Sequence, residues 1–102
     1  MNNRTKATGI SPLMREAVYR RDKGRCIFCG STYGLQCAHY IARSQGGLGN
    51  AQNLAMLCVN CHTALDNGNN PELRNLIKWR FESHLKACYP DWNEGKLRYR
   101  KE

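Results

Sequence analysis

The apolar positions of this chain fall into short runs, each with its own spacing, separated by clusters of small and polar residues. Ser11-Pro12 sets a capping hydroxyl before a proline suited to the first helical position. Leu13, Ala17 and Val18 then recur at helical spacing until Gly24, predicting a helix over 11–25 with Arg15, Arg20, Arg21 and Lys23 on its other face. Leu35 to Ile41 predicts a strand, and 43–50, with Ser44, Gly46, Gly47 and Gly49, predicts the loop that reverses it. A second short strand around Asn53 to Leu57 closes the hairpin. His62 to Asp66 reads as a short helix ending at Asn67-Gly68. Asn70-Pro71 opens a longer helix over 70–88, with Leu73, Leu76, Ile77, Phe81 and His84-Leu85 as its buried face and Trp79 as a core or groove residue. The aromatics of Tyr89 to Trp92 are expected back on the core. Together these elements predict one α+β domain over 1–102: a basic arm (1–10), a basic helix (11–25), a central unit (26–68), a helix (70–88) and a basic tail (89–102).

Charge sharpens this outline. The net charge is +8, and it is unevenly spread. Residues 1–25 carry seven basic and two acidic side chains, residues 96–102 carry four and one, and 26–69 has only Arg43 and Asp66. Basic ends around a neutral centre suit a polyanion, whose backbone Arg15, Arg20, Arg21, Lys23, Arg43, Lys96, Arg98, Arg100 and Lys101 would contact. The first dozen residues lack an apolar stretch, so neither a secretory signal nor a membrane partner is expected, and a reducing cytoplasm is the expected setting.

That setting decides how the cysteines are read. Cys26-x-x-Cys29 and Cys58-x-x-Cys61 form two matching pairs with 28 residues between them, and each pair can place two thiolates on one tetrahedral zinc ion. Four thiolates leave no open position, so such a zinc is structural. A chain this short needs a staple of this kind. The competing assignment, Cys58 and His62 as half of a Cys/His site with Cys61 free, stays open, although the matched halves favour the four cysteines. Cys37 and Cys88 read as buried apolar residues, and His84 as a partly buried helix residue.

The stretch His39-Tyr40-Ile41-Ala42-Arg43-Ser44-Gln45-Gly46-Gly47, followed by Asn53-Leu54 and then Leu57-Cys58-Val59-Asn60-Cys61-His62, resembles the HNH endonuclease signature in its zinc-stapled form, common in small phage and bacterial proteins. The resemblance spans roughly residues 20–68 and implies a ββα-metal domain that hydrolyses DNA phosphodiester bonds. It implies His39 as general base, Asn53 as the residue that pins the loop, and His62 as ligand of a catalytic divalent metal: magnesium, manganese, nickel or zinc. The chemistry fits. Neutral histidine can take a proton from water near neutral pH, and a divalent cation can stabilise the leaving oxygen. Asp66, four residues after His62 on a helix, shares its face and is a candidate second ligand. Arg43 is suited to grip the scissile phosphate. His39 alone would be read as a hydrogen-bonded structural histidine; its spacing to Asn53 and His62 raises the catalytic reading.

One position departs from the pattern: Ala38 stands where the family usually has a metal-ligating acid or histidine. The alternative to a nuclease is therefore a zinc-structured DNA-binding module that cuts weakly or not at all. Phage packaging, restriction and mobility remain open as tasks, with other phage or restriction proteins as candidate partners.

Overall fold

The computed structural model describes residues 3–100. Six elements follow in chain order: α1 (Asn3–Thr8), α2 (Pro12–Arg21), β1 (Leu35–His39), β2 (Leu54–Cys58), α3 (Val59–Asp66) and α4 (Pro71–Cys88), with single 3-10 turns at Arg43–Gln45, Ala51–Asn53 and Glu94–Lys96. The two strands pair antiparallel with Leu35 opposite Cys58 and His39 opposite Leu54, and α3 follows β2 directly. This β-β-α unit is the predicted α+β core.

The hairpin is covered on both faces. Val18 of α2 packs with Leu54 and Met56 on one side, flanked by Ile10, Met14, Leu35 and Cys37. Ala38, Ala55, Leu57, Ile77, Phe81 and Leu85 form the larger core on the other side. Every residue of β2 is consequently buried, which is why Leu54–Cys58 is apolar throughout and shows no alternation. Tyr40 makes edge contacts with Phe81 and Trp92, drawing the segment after α4 onto the core.

Helix ends follow their capping residues. Ser11 Oγ accepts from Met14 N at 3.0 Å, and Asn70 caps α4 through Leu73 N. The helix predicted over 11–25 ends at Arg21, because its inward stripe is Met14, Val18 and Asp22, spaced by four, and Asp22 is its buried C-cap. Leu13 lies off that stripe and is 79% exposed. In α4 the buried stripe is Ile77, Phe81 and Leu85, with Leu73 partly buried, so Leu76 faces solvent instead of the core predicted for it, and Trp79, expected in the core or a groove, is exposed as well. Residues 3–8 of the expected basic arm are helical.

The outer edge of β2 is closed by polar groups that no local pattern announced. Asp22 Oδ2 accepts from Met56 N at 2.8 Å, Arg21 Nη2 donates to Leu54 O at 2.6 Å, and Ile27 N donates to Met56 O at 3.0 Å. These bonds satisfy edge groups that would otherwise be orphaned. His84 on α4 completes the knot, its Nε2 lying 2.7 Å from Asp22 Oδ1, while Arg21 also donates to Ala51 O and Tyr89 Oη. Burial raises the Asp22 carboxyl, but hydrogen bonds from His84, Arg21 and Met56 outweigh it and hold the group below the ordinary carboxylate value. Its stabilising effect is therefore complete above the unfolded value and is lost as pH falls through the depressed one. Asp22→Asn is expected to lower the unfolding free energy by about 3 kcal/mol, measured by urea titration of the metal-loaded protein near pH 7. A loss below about 0.5 kcal/mol would show that the knot is dispensable.

Candidate active site

The turn over 26–29 and the junction of β2 with α3 bring four sulfur atoms to one point. The Sγ atoms of Cys26, Cys29, Cys58 and Cys61 all lie within 4.8 Å of one another, with Cys29 and Cys58 3.6 Å apart. Sulfurs held about 2.3 Å from a tetrahedral zinc ion sit about 3.8 Å apart, so the set fits one such ion. Cys26 and Cys58 are buried. Burial raises the Cys26 thiol, yet N–H groups of Cys29, Cys58 and Phe28 bring it down to about 7, favouring the thiolate a metal needs. Burial and the neighbouring thiols push Cys61 up, a repulsion that a cation relieves. His62 takes no part in this group. The competing Cys58–His62 half-site is thus replaced by four cysteines positioned for one metal ion. Cys37 and Cys88 stay apart from it and are partly buried; Cys88 Sγ lies 3.8 Å from His84 Nε2.

The cluster joins the turn before β1 to the first turn of α3, and this fixes His62. The His62 ring is held at both nitrogens: Nδ1 lies 2.6 Å from Gln36 Oε1 and Nε2 lies 2.9 Å from Asp66 Oδ2. Gln36 Oε1 only accepts, so Nδ1 carries a proton and a neutral ring turns its Nε2 lone pair toward the carboxylate. Two lone pairs at that distance call for a positive charge between them, either a proton or a metal ion. Cis ligands about 2.1 Å from an octahedral ion are about 3 Å apart, so this pair fits a divalent cation. Gln36 was not singled out from the sequence; it lies on β1, far along the chain from α3.

Asn53 is fully buried at the end of the loop. Its Oδ1 accepts from Ile41 N at 2.8 Å, and its Nδ2 donates to Ile41 O at 3.2 Å and Leu48 O at 2.8 Å. One amide thereby ties both limbs of the 42–52 loop. The tail secures its outer side, through Leu48 N to Leu97 O at 2.8 Å and Tyr99 N to Gly46 O at 2.7 Å. Gly47 is required here by space, since a Cβ would strike the carbonyl of Ile41.

His39 closes β1 at the mouth of this loop. Its Nε2 is 2.9 Å from the carbonyl oxygen of Thr8, which can only accept, so Nε2 bears the proton and Nδ1 keeps its lone pair. Burial is the largest influence on the ring and lowers its proton affinity below the ordinary histidine value. The Thr8 bond opposes this, while the charges of Arg43 and His62 act with burial and that of Asp66 against it. All three side chains are therefore within electrostatic reach of His39. Arg43 is exposed and donates from Nε to Thr8 Oγ1 at 3.3 Å.

Residues 26–68, which hold the cysteines, His39, Asn53, His62 and Asp66, match the family model for HNH endonuclease. This segment is similar to an HNH endonuclease domain. The fold of the chain is similar, over 76% of its length at 24% identity and a TM-score of 0.58, to a chain of the Type IV phosphorothioation-dependent restriction endonuclease ScoMcrA. The present chain spans 20% of that one, and the likeness is one of fold. No curated protein matches the chain.

Around the HNH segment, the candidate phosphate contacts Arg15, Arg20, Lys23, Lys96, Arg98 and Arg100 are exposed, as is Arg43. Arg20 forms a surface ion pair with Glu16. Arg21 is different: its guanidinium is spent on Asp22, Leu54 O, Ala51 O and Tyr89, so it is an internal strut rather than the phosphate contact expected of it. Lys101 lies outside the described residues. Among the described residues no helix is long and apolar enough to cross a membrane.

Stripping the metal with a strong chelator is expected to release one zinc per chain and to unfold the domain, because metal binding at such sites contributes roughly 10 kcal/mol or more. Cys58→Ser should lose the ion at far lower chelator concentration. Retention of the native amide spectrum in metal-free protein would rule out the cysteine cluster as a staple.

Proposed function

We propose that this chain is a metal-dependent endonuclease that hydrolyses DNA phosphodiester bonds, with His39 as general base. The observation that carries the reading is the placement of His39: Nε2 within hydrogen-bond reach of Thr8 O, which leaves the Nδ1 lone pair available, in a partly buried setting that favours the neutral ring, inside the field of Arg43, His62 and Asp66. The match of residues 26–68 to the HNH endonuclease model supports a nucleic-acid substrate.

In this reading His39 Nδ1 takes the proton of a water attacking phosphorus, and the Thr8 carbonyl steadies the imidazolium that forms. Arg43 holds non-bridging phosphate oxygens. Asn53 keeps the loop from shifting the base relative to the phosphate. His62 and Asp66 would hold the divalent ion, with Gln36 orienting the His62 ring; when bound, that ion supplies stabilisation of charge on the phosphate and the leaving 3′ oxygen. The cysteine-bound ion, zinc by its ligand chemistry, is scaffold. Arg15, Arg20, Lys23, Lys96, Arg98 and Arg100 position the duplex through its backbone.

A second reading has its own observation. Ala38 is fully buried in the core, so that position offers no ligand and the protein contributes two candidate ligands rather than three. A zinc-structured module that binds DNA without cutting it would look the same.

Plasmid nicking with magnesium, manganese, nickel or zinc separates the readings. The wild type is expected to nick with at least one metal, and His39→Ala at equal zinc content to lose roughly a hundredfold or more in rate. DNA binding with no cleavage under any metal would favour the second reading. The pH profile of kcat/KM should lose activity as pH falls through an apparent value below 6.5, because burial favours the neutral base. An acid limb above that value would remove His39 from the proton transfer.

A further inference from the structure

The segment over 4–9 is wired into the candidate site. Thr8 is 2% exposed and serves two residues: its carbonyl accepts from His39 Nε2, and its hydroxyl accepts from Arg43 Nε while donating to Arg4 O at 2.8 Å. The hydroxyl proton is thus committed along α1, leaving lone pairs for Arg43. Arg4 Nη2 donates to Ser44 O at 3.0 Å, and Gly49 N donates to Ala7 O at 2.9 Å. Four backbone or side-chain bonds therefore join residues 4–8 to both ends of the 43–49 loop and to the end of β1.

The contact at Gly49 leaves no room for a side chain. A Cβ there would strike the carbonyl of Gly9 and crowd that of Thr8. Its φ lies outside the left-handed range, so space and not conformation demands glycine.

We propose that residues 4–9 form a clasp that positions the site, with Thr8 fixing the ring of His39 through its carbonyl and the reach of Arg43 through its hydroxyl, and with Gly49 as the seat that lets the clasp close. The two tasks are separable. Removing the hydroxyl leaves the carbonyl in place, while filling the seat at Gly49 lifts the carbonyl away. The catalytic consequence rests on the nuclease reading; the positioning does not.

The test uses the zinc-loaded full chain, with imidazole long-range 1H–15N spectra alongside cleavage kinetics. In the wild type, His39 is expected to show an Nε2 proton protected from solvent exchange and an unprotonated Nδ1. Gly49→Ala should lose that protection and lower kcat roughly ten- to a hundredfold with little change in KM. Thr8→Val should keep the protected proton and raise KM severalfold with little change in kcat, since only the Arg43 grip on phosphate loosens. A proton on Nδ1 in the wild type, an unprotected Nε2, or a Gly49→Ala spectrum like the wild type's would overturn the clasp. If Gly49→Ala fails to fold, Thr8→Val carries the test, and an unchanged KM counts against the proposal. Loss of the protected proton with unaltered cleavage would support the clasp while counting against His39 as the base.

Discussion

Four thiols gathered within a few ångströms of one another constrain everything else in this small domain. Without a cation they repel and resist ionising together; with one they join the turn ahead of β1 to the first turn of α3. That junction sets the rotation of α3, and rotation decides what His62 faces. The ring stands between Gln36 and Asp66, with one nitrogen fixed by a carbonyl-type oxygen and the other turned to a carboxylate. The metal cluster and the candidate hydrolytic pair are adjacent in sequence yet separate in chemistry, one closed by four sulfurs and one built from nitrogen and oxygen.

A second constraint holds the sheet. A two-stranded ribbon is marginal alone and leaves an outer edge unpaired. Here Arg21 and Asp22 turn inward at the end of α2 to satisfy that edge at Leu54 and Met56, and His84 fastens the same carboxylate to α4. The strand that ends in His39 is therefore paired with a strand whose outer edge is closed. The loop beyond it is fixed from within by Asn53 and from outside by both terminal segments, through Ala7 and Thr8 on one side and Leu97 and Tyr99 on the other. The candidate site has little freedom to rearrange, which is what positioned acid-base chemistry requires.

Much of this was legible in the chain. Cysteine spacing predicts one metal cluster, glycine and asparagine placement predicts the hairpin, and the HNH resemblance rests on residues that the family model also matches. Legibility ended where partners are distant in sequence. Nothing in periodicity tells that Arg21, one more cation on a basic helix face by its position, is partly buried and spent internally, because the deciding residues are Leu54 and Tyr89. Thr8 and Gln36 likewise carry no local signal: their importance lies in backbone approach and strand register, which only the fold supplies. Leu13, Leu76 and Trp79 show the converse, apolar side chains whose helical phase falls just outside a stripe spaced by four.

In the proposed function two distinct cation sites stand side by side, one for scaffolding and one for hydrolysis. Anomalous diffraction from zinc-loaded crystals soaked in manganese tests it directly. The account predicts a zinc signal among the sulfurs of Cys26, Cys29, Cys58 and Cys61 and a manganese signal between His62 and Asp66. Manganese found elsewhere, or absent while zinc alone is bound, would contradict it.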